Sequence, residues 1–157
     1  GAEGQEARTM LTRAHGWPGM LFAAPAALAV GDRPAVGCIA MSKPLGPYTP
    51  VVRAGDFVIV SGQGGMRDGV KVAGGVRAET TQTMQNVAAQ LATVGATLGD
   101  VVKTTCFLTD MENFAAFNEA YAEALGTHRP ARSTVGVAEL PGNFLVEVEA
   151  WAYLPSS

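Results

Sequence analysis

Histidine is nearly missing from this chain, and with it the raw material of most metal and nucleophile chemistry. The 157 residues hold two histidines, His15 and His128, and two cysteines, Cys38 and Cys106. Such a pair of histidines leaves little from which to build a histidine metal site or a Ser-His-Asp triad. Two cysteines far apart in sequence do not make a disulfide framework and fit a reducing cytoplasm. No apolar run approaches the ~20 residues of a membrane span, so no membrane partner is expected. Positive charge is short as well. From residue 41 onward three lysines and five arginines stand against eleven acids, and the whole chain carries a formal net charge of −3. A nucleic-acid binder usually shows a basic face, so nucleic acid is not expected as a partner either.

What is there suits one globular domain. Nearly half the residues are apolar and nineteen are glycine, which predicts a real core and many tight turns. Residues 1–40 read differently from the rest. They show no clear period, and an Ala-rich run over 20–30 is broken by Pro25. Ala27-Leu28-Ala29 resembles a signal-peptide cleavage pattern, with Arg8 and Arg13 upstream. The run is short and Trp17 interrupts the approach, so the segment is read as an added leader or upstream extension, partly disordered. Met41-Ser42-Lys43-Pro44 then reads as a natural start, and 41–157 as the domain.

From residue 45 the chain becomes regular. Runs at 51–53 and 57–61 are strand-like and joined at Ala54-Gly55-Asp56, as in a hairpin. Gly62-Gln63-Gly64-Gly65 follows. It does not make a phosphate loop, because Arg67 stands where a third glycine belongs and no Lys-Ser or Lys-Thr pair follows. Glycines at a strand end that let something approach the backbone are the better reading. Asp68-Gly69 and Gly74-Gly75 bracket a short strand. Over 77–94, Met84, Val87, Ala88, Leu91 and Val94 fall at helical steps and Gly95 ends the helix. A strand follows at 101–108, with Cys106 as a packed small hydrophobe. Asp110 is placed to cap a second helix over 113–125, whose Phe114, Phe117, Tyr121 and Leu125 share a face. Read alone, Asn118 in that helix is a solvent-facing amide.

Two stretches carry chemistry. In Pro130-Ala131-Arg132-Ser133-Thr134-Val135 the proline stiffens the entry to a strand, and Arg132 offers a planar fork of donors that fits a carboxylate. The final run, 145–154, alternates strictly. Val146, Val148, Ala150 and Ala152 line one face; Glu147, Glu149, Trp151 and Tyr153 line the other. Acids mixed with aromatics suit a face that meets another subunit. The element order predicts an α+β domain with helices on one side of a sheet.

Taken in order, Gly46-Pro47-Tyr48, Ser61-Gly62-Gln63, Val101-Val102-Lys103-Thr104-Thr105, Asn118-Glu119-Ala120-Tyr121, Pro130-Ala131-Arg132-Ser133 and Val146-Glu147-Val148-Glu149-Ala150 carry a resemblance. Over 45–154 the chain resembles the Rid (YjgF-type) family of reactive-intermediate imine deaminases. The resemblance implies a chorismate-mutase-like α+β fold with a mixed sheet, a homotrimer with sites between subunits, and hydrolysis of 2-imino or 2-aminoacrylate-type acids to 2-oxoacids and ammonia. It implies no metal and no cofactor. Arg132 would grip the substrate carboxylate and Glu147 would hold the hydrolytic water. Ser61 and the Gly62 backbone would line the pocket, and Tyr48 and Asn118 match pocket positions. Thr134 stands where the deaminase subgroup often has cysteine and alters the polarity of the pocket. Gly64-Gly65 replaces an apolar residue and proline, which predicts a more mobile loop. The resemblance also admits a non-catalytic small-carboxylate-binding or regulatory module, and an endoribonuclease or translation inhibitor that the acidic balance disfavours.

Overall fold

The computed structural model describes residues 46–155, so the expectations for the leader and for the start at Met41 lie outside the described residues. A first hairpin joins β1 (Val51–Ala54) to β2 (Phe57–Gly64). A smaller one joins β3 (Met66–Arg67) to β4 (Val70–Lys71) through Asp68 and Gly69, both at positive φ. That is the backbone an Asp-Gly pair adopts in the tight turns whose twist matches antiparallel strands. Then follow α1 (Gly75–Ala92), β5 (Val101–Leu108), α2 (Phe114–Leu125), β6 (Ala131–Gly136) and β7 (Val146–Tyr153). Asp110 caps as expected, its Oδ1 accepting from the Glu112 N–H at 2.9 Å, but it opens a single 3-10 turn, Met111–Asn113, from which α2 continues.

The sheet is mixed, with order β1-β2-β7-β5-β6. The last strand, β7, lies at its centre and pairs antiparallel with both β2 and β5. Strand β6 returns parallel to β5 after the α2 crossover. The period-two reading of β7 holds: Val146, Val148, Ala150 and Ala152 are fully buried under the helices. They meet Met84, Val87 and Leu91 of α1 and Phe117 and Tyr121 of α2, all in one apolar core. At ~25 cal/mol per Å², such burial is the main stabilising term of the fold.

The opposite face of the sheet is left uncovered by the described chain. Phe57, Trp151 and Tyr153 lie there and remain 42–45% exposed. Phe57 packs edge-on against Tyr153 at 5.4 Å and Trp151 at 6.3 Å between ring centroids.

Helix α1 buries more than its apolar stripe. Glu79, Thr80, Gln82, Thr83 and Gln90 are buried too, so the buried part of the helix is wider and more polar than the stripe. The Glu79 carboxylate, 1% exposed, accepts the Leu145 N–H at 2.8 Å and pairs with the Lys71 ammonium at 3.0 Å. It thereby ties the β3–β4 hairpin to the entry of β7. A buried acid without such partners would be strongly unfavourable. On the outside, Arg77 reaches Glu119 and Glu123 at 2.6 Å each and links the helices.

Candidate active site

Arg132 lies on β6 opposite Thr104 of β5, on the helix-covered face of the sheet. Its guanidinium stands over the rings of Tyr121, Phe117 and Phe114, at 5.0, 5.5 and 5.7 Å from their centroids. No acid pairs with it among the described residues. The ring faces attract the cation without consuming its hydrogen-bond donors. The Tyr121 ring is itself fixed, because its hydroxyl is 2.7 Å from the Thr104 hydroxyl in the core. Burial pushes the Tyr121 phenol above its ordinary pKa, so it stays neutral beside the arginine. The result is an exposed, oriented, unneutralised guanidinium on a rigid seat.

Two predicted neighbours share that side. Thr134 follows Arg132 on the same face of β6, roughly 6–7 Å along the strand, and pairs across to Cys106. Asn118 lies one turn from Phe114 and Tyr121 on α2. It is half-buried, with its Oδ1 buried and unpartnered, which corrects the solvent-facing reading of that amide. The Thr134 hydroxyl oxygen is likewise buried without a hydrogen-bond partner. Burial pushes the Cys106 thiol up to about 11, so it is an inert packed hydrophobe, as expected.

Glu147 lies elsewhere. It is on β7 opposite Phe107 of β5 and Gly64 of β2, on the uncovered face. Its pKa is raised, first by burial and then by the neighbouring charge of Glu149. Its carboxylate rests on the backbone of Gly62: a Cβ at that glycine would collide with Glu147 Oε1. Ser61 sits at the same place, in the bulge between Val60 and Gln63 where the β2–β7 register shifts. The Ser61 hydroxyl donates to the Thr49 carbonyl at 2.7 Å and its N–H to Pro50 at 2.9 Å. This draws the exposed Tyr48 segment alongside β2.

The predicted site residues therefore form two groups. Arg132, Thr134 and Asn118 gather at the α2–β6 edge; Glu147, Ser61, Gly62 and the Tyr48 segment gather on the other face. No single chain brings Arg132 to Glu147. The loop expected to be mobile is tightly packed instead. A Cβ on Gly64 would collide with the Phe144 ring, and one on Gly65 would meet the Glu79 backbone at 2.8 Å. Close approach of the chain's own groups is what these glycines permit. Sequence reasoning missed the seat of Arg132, since an aromatic stripe looks the same whether it covers aliphatics or a guanidinium. It also missed the amides of Gln63 and Asn86 that bind this strip of backbone.

The profile of the family described as endoribonuclease L-PSP matches residues 39–154. A RutC family protein of Pyrococcus horikoshii is 42% identical over 113 residues, covering 71% of this chain and 90% of its own. A 2-iminobutanoate/2-iminopropanoate deaminase of Dermatophagoides farinae is 43% identical over 110 residues, 69% of this chain and 86% of that protein. The crystal structure of E. coli TdcF with bound serine superposes with a TM-score of 0.66 at 35% identity, covering 70% of this chain and 90% of that one. With two helices on one face of the same mixed sheet and this extent of match, the chain belongs to the endoribonuclease L-PSP family, the Rid (YjgF-type) family of the resemblance above.

Proposed function

We propose that this protein hydrolyses reactive 2-imino acids to 2-oxoacids and ammonia, in a homotrimer of chorismate-mutase-like subunits whose sites lie between neighbours. The observation that carries the reading is the Arg132 guanidinium, held over three rings with no acid to neutralise it among the described residues. A free fork of donors on a rigid seat suits a small carboxylate. The Dermatophagoides relative is a deaminase of such imino acids by name, and TdcF was solved with serine, which also carries a carboxylate.

In this mechanism Arg132 binds the substrate carboxylate through two parallel N–H···O bonds. Glu147 of an adjacent subunit orients a water and takes its proton as the oxygen adds to C2. The C2–N bond then breaks, the nitrogen leaves as ammonia with the protons it has gained, and C2 becomes the 2-oxo carbon. No electrons are transferred. A carboxylate whose pKa is raised by burial is a better base than an exposed one. Tyr48, Ser61 and the Gly62 backbone would line one wall, and Asn118 and Thr134 the other. The acidic balance of 41–157 favours this reading over action on nucleic acid. A cytoplasmic setting belongs to the same proposal.

A second reading has its own support. Because Arg132 and Glu147 lie on opposite faces of one chain, the arginine pocket could serve as a carboxylate-binding or regulatory module without the acid. One measurement separates them. An imino acid is generated in situ by an amino-acid oxidase and its decay followed with and without the protein. Accelerated decay is expected; unchanged decay alongside 2-oxoacid binding would establish the module instead.

A further inference from the structure

The segment under Glu147 is an irregular piece of backbone. Between Val60 and Gln63 the ladder from β2 to β7 is interrupted, so carbonyls there lose their regular partners. Two side-chain amides bind the carbonyls of this stretch and of the residues just after it. Gln63 Nε2 donates to the carbonyls of Ser61 at 2.9 Å and Gly62 at 3.2 Å. Asn86 Nδ2, from α1, donates to the carbonyls of Gly64 and Met66 at 2.9 Å each. The Asn86 amide is oriented in turn: its Oδ1 accepts from Gln82 Nε2 at 2.9 Å, and Gln82 Oε1 accepts from Arg67 Nε at 2.8 Å. Four carbonyls within residues 61–66 are thus held by side-chain amides. With the carbonyls turned to the amides, the bare Cα of Gly62 faces the Glu147 carboxylate.

We propose that Gln63 and Asn86 are positioning residues for Glu147: they hold the glycine strip of β2 as the shelf on which its carboxylate rests. The functional consequence rests on the reading of Glu147 as the proton-handling acid. Without the clamp the bulge is free to relax, and the carboxylate loses both its fixed direction and part of its burial. The charged groups on this face are few. Glu149 lies two residues along β7, and β5 contributes Lys103, whose amine donates to Ser133 Oγ at 2.7 Å. Residues 59–64 of β2 present no charge. Burial on the glycine shelf is therefore the principal lever on Glu147.

The test uses the full chain and two size-preserving variants. Gln63→Met keeps bulk and removes the donors; Asn86→Leu keeps bulk, removes the donors and adds no charge. The Glu147 carboxyl is titrated by carbon-13 NMR, its signal assigned by its loss in Glu147→Gln, beside kcat, KM and the thermal midpoint. The expected result is a Glu147 titration midpoint that falls toward the ordinary carboxylate value in both variants. With it should come a drop in kcat of about tenfold, part of the 10²–10⁴ that acid–base catalysis contributes, at nearly constant KM. A lowered thermal midpoint with the titration and kcat unmoved would mean a merely structural clamp and would overturn the proposal. Should one variant fail to fold, the other decides by the same criterion. A shifted titration with no turnover even in the unmutated protein supports the positioning role and defeats the hydrolase reading alone.

Discussion

The two halves of the candidate site solve opposite problems. At the α2–β6 edge a cation is kept unneutralised by giving it ring faces in place of an acid. On the open face an acid is kept hard to ionise by resting it on glycine backbone beside a second carboxylate. The first arrangement leaves a permanent charge ready for a carboxylate. The second leaves a group whose proton can come and go. Placing them on opposite sides of one sheet keeps them from forming an internal salt bridge that would silence both. In the proposed assembly they meet only between chains, with substrate and water interposed.

The largest test of this contrast falls on the acid. Glu147→Gln keeps the shape and removes proton transfer, so turnover should fall by roughly 10²–10⁴, less if spontaneous hydrolysis sets the floor. Calorimetric binding of 2-oxobutyrate should stay near the unmutated value. Next comes Arg132→Ala. A charge-assisted hydrogen bond contributes about 1.5–3 kcal/mol, so kcat/KM and 2-oxobutyrate affinity should drop on the order of a hundredfold. Arg132→Lys should do nearly as badly, because an ammonium cannot form the fork; near-native turnover in that variant would remove the bidentate anchor.

Smaller in effect but sharper in logic is a mixing experiment. Arg132→Ala and Glu147→Gln chains, each nearly inactive, are unfolded and refolded together. Random trimers then contain some sites with an intact arginine from one chain and an intact acid from the next. Partial recovery of imine decay is expected, and a mixture no better than its components would sink the shared site.

The smallest effect is on stability. The folded Glu147 pKa is raised above its unfolded value, so between those two values the folded state holds more protons and stability declines as pH rises. Glu147→Gln removes that penalty. Its thermal midpoint should exceed the unmutated one slightly at neutral pH and match it below the ordinary carboxylate range. A reversed order would mean that the acid is stabilised in its ionised form.

Much of this was legible in the residues because it is periodic. The strict alternation of 146–153 located both the buried face and the acid face of β7, and the stripe through Met84, Val87 and Leu91 located α1. Arg132 stood out because a proline-stiffened strand entry carries so specific a group. What escaped was held by contacts without a period. Hydrogen bonds from Gln63 and Asn86 to carbonyls leave no pattern, and neither does the burial of Glu79, which depends on a lysine and an N–H remote in sequence. Gly64 and Gly65 were read as slack because glycine frees the chain. Here it admits a phenyl ring and a helix instead, and the loop is tight.

The central place of β7 has a consequence for synthesis. The strand that pairs with both β2 and β5 is made after every other described strand, joining Phe57 to Tyr153 and Leu108 to Val146. Until it leaves the ribosome, the hairpin of β1 and β2 and the β5–α2–β6 unit have no common partner, and their apolar strands wait with open edges. Folding of this domain is therefore dominated by long-range pairing, because the two units share no partner until β7 is in place.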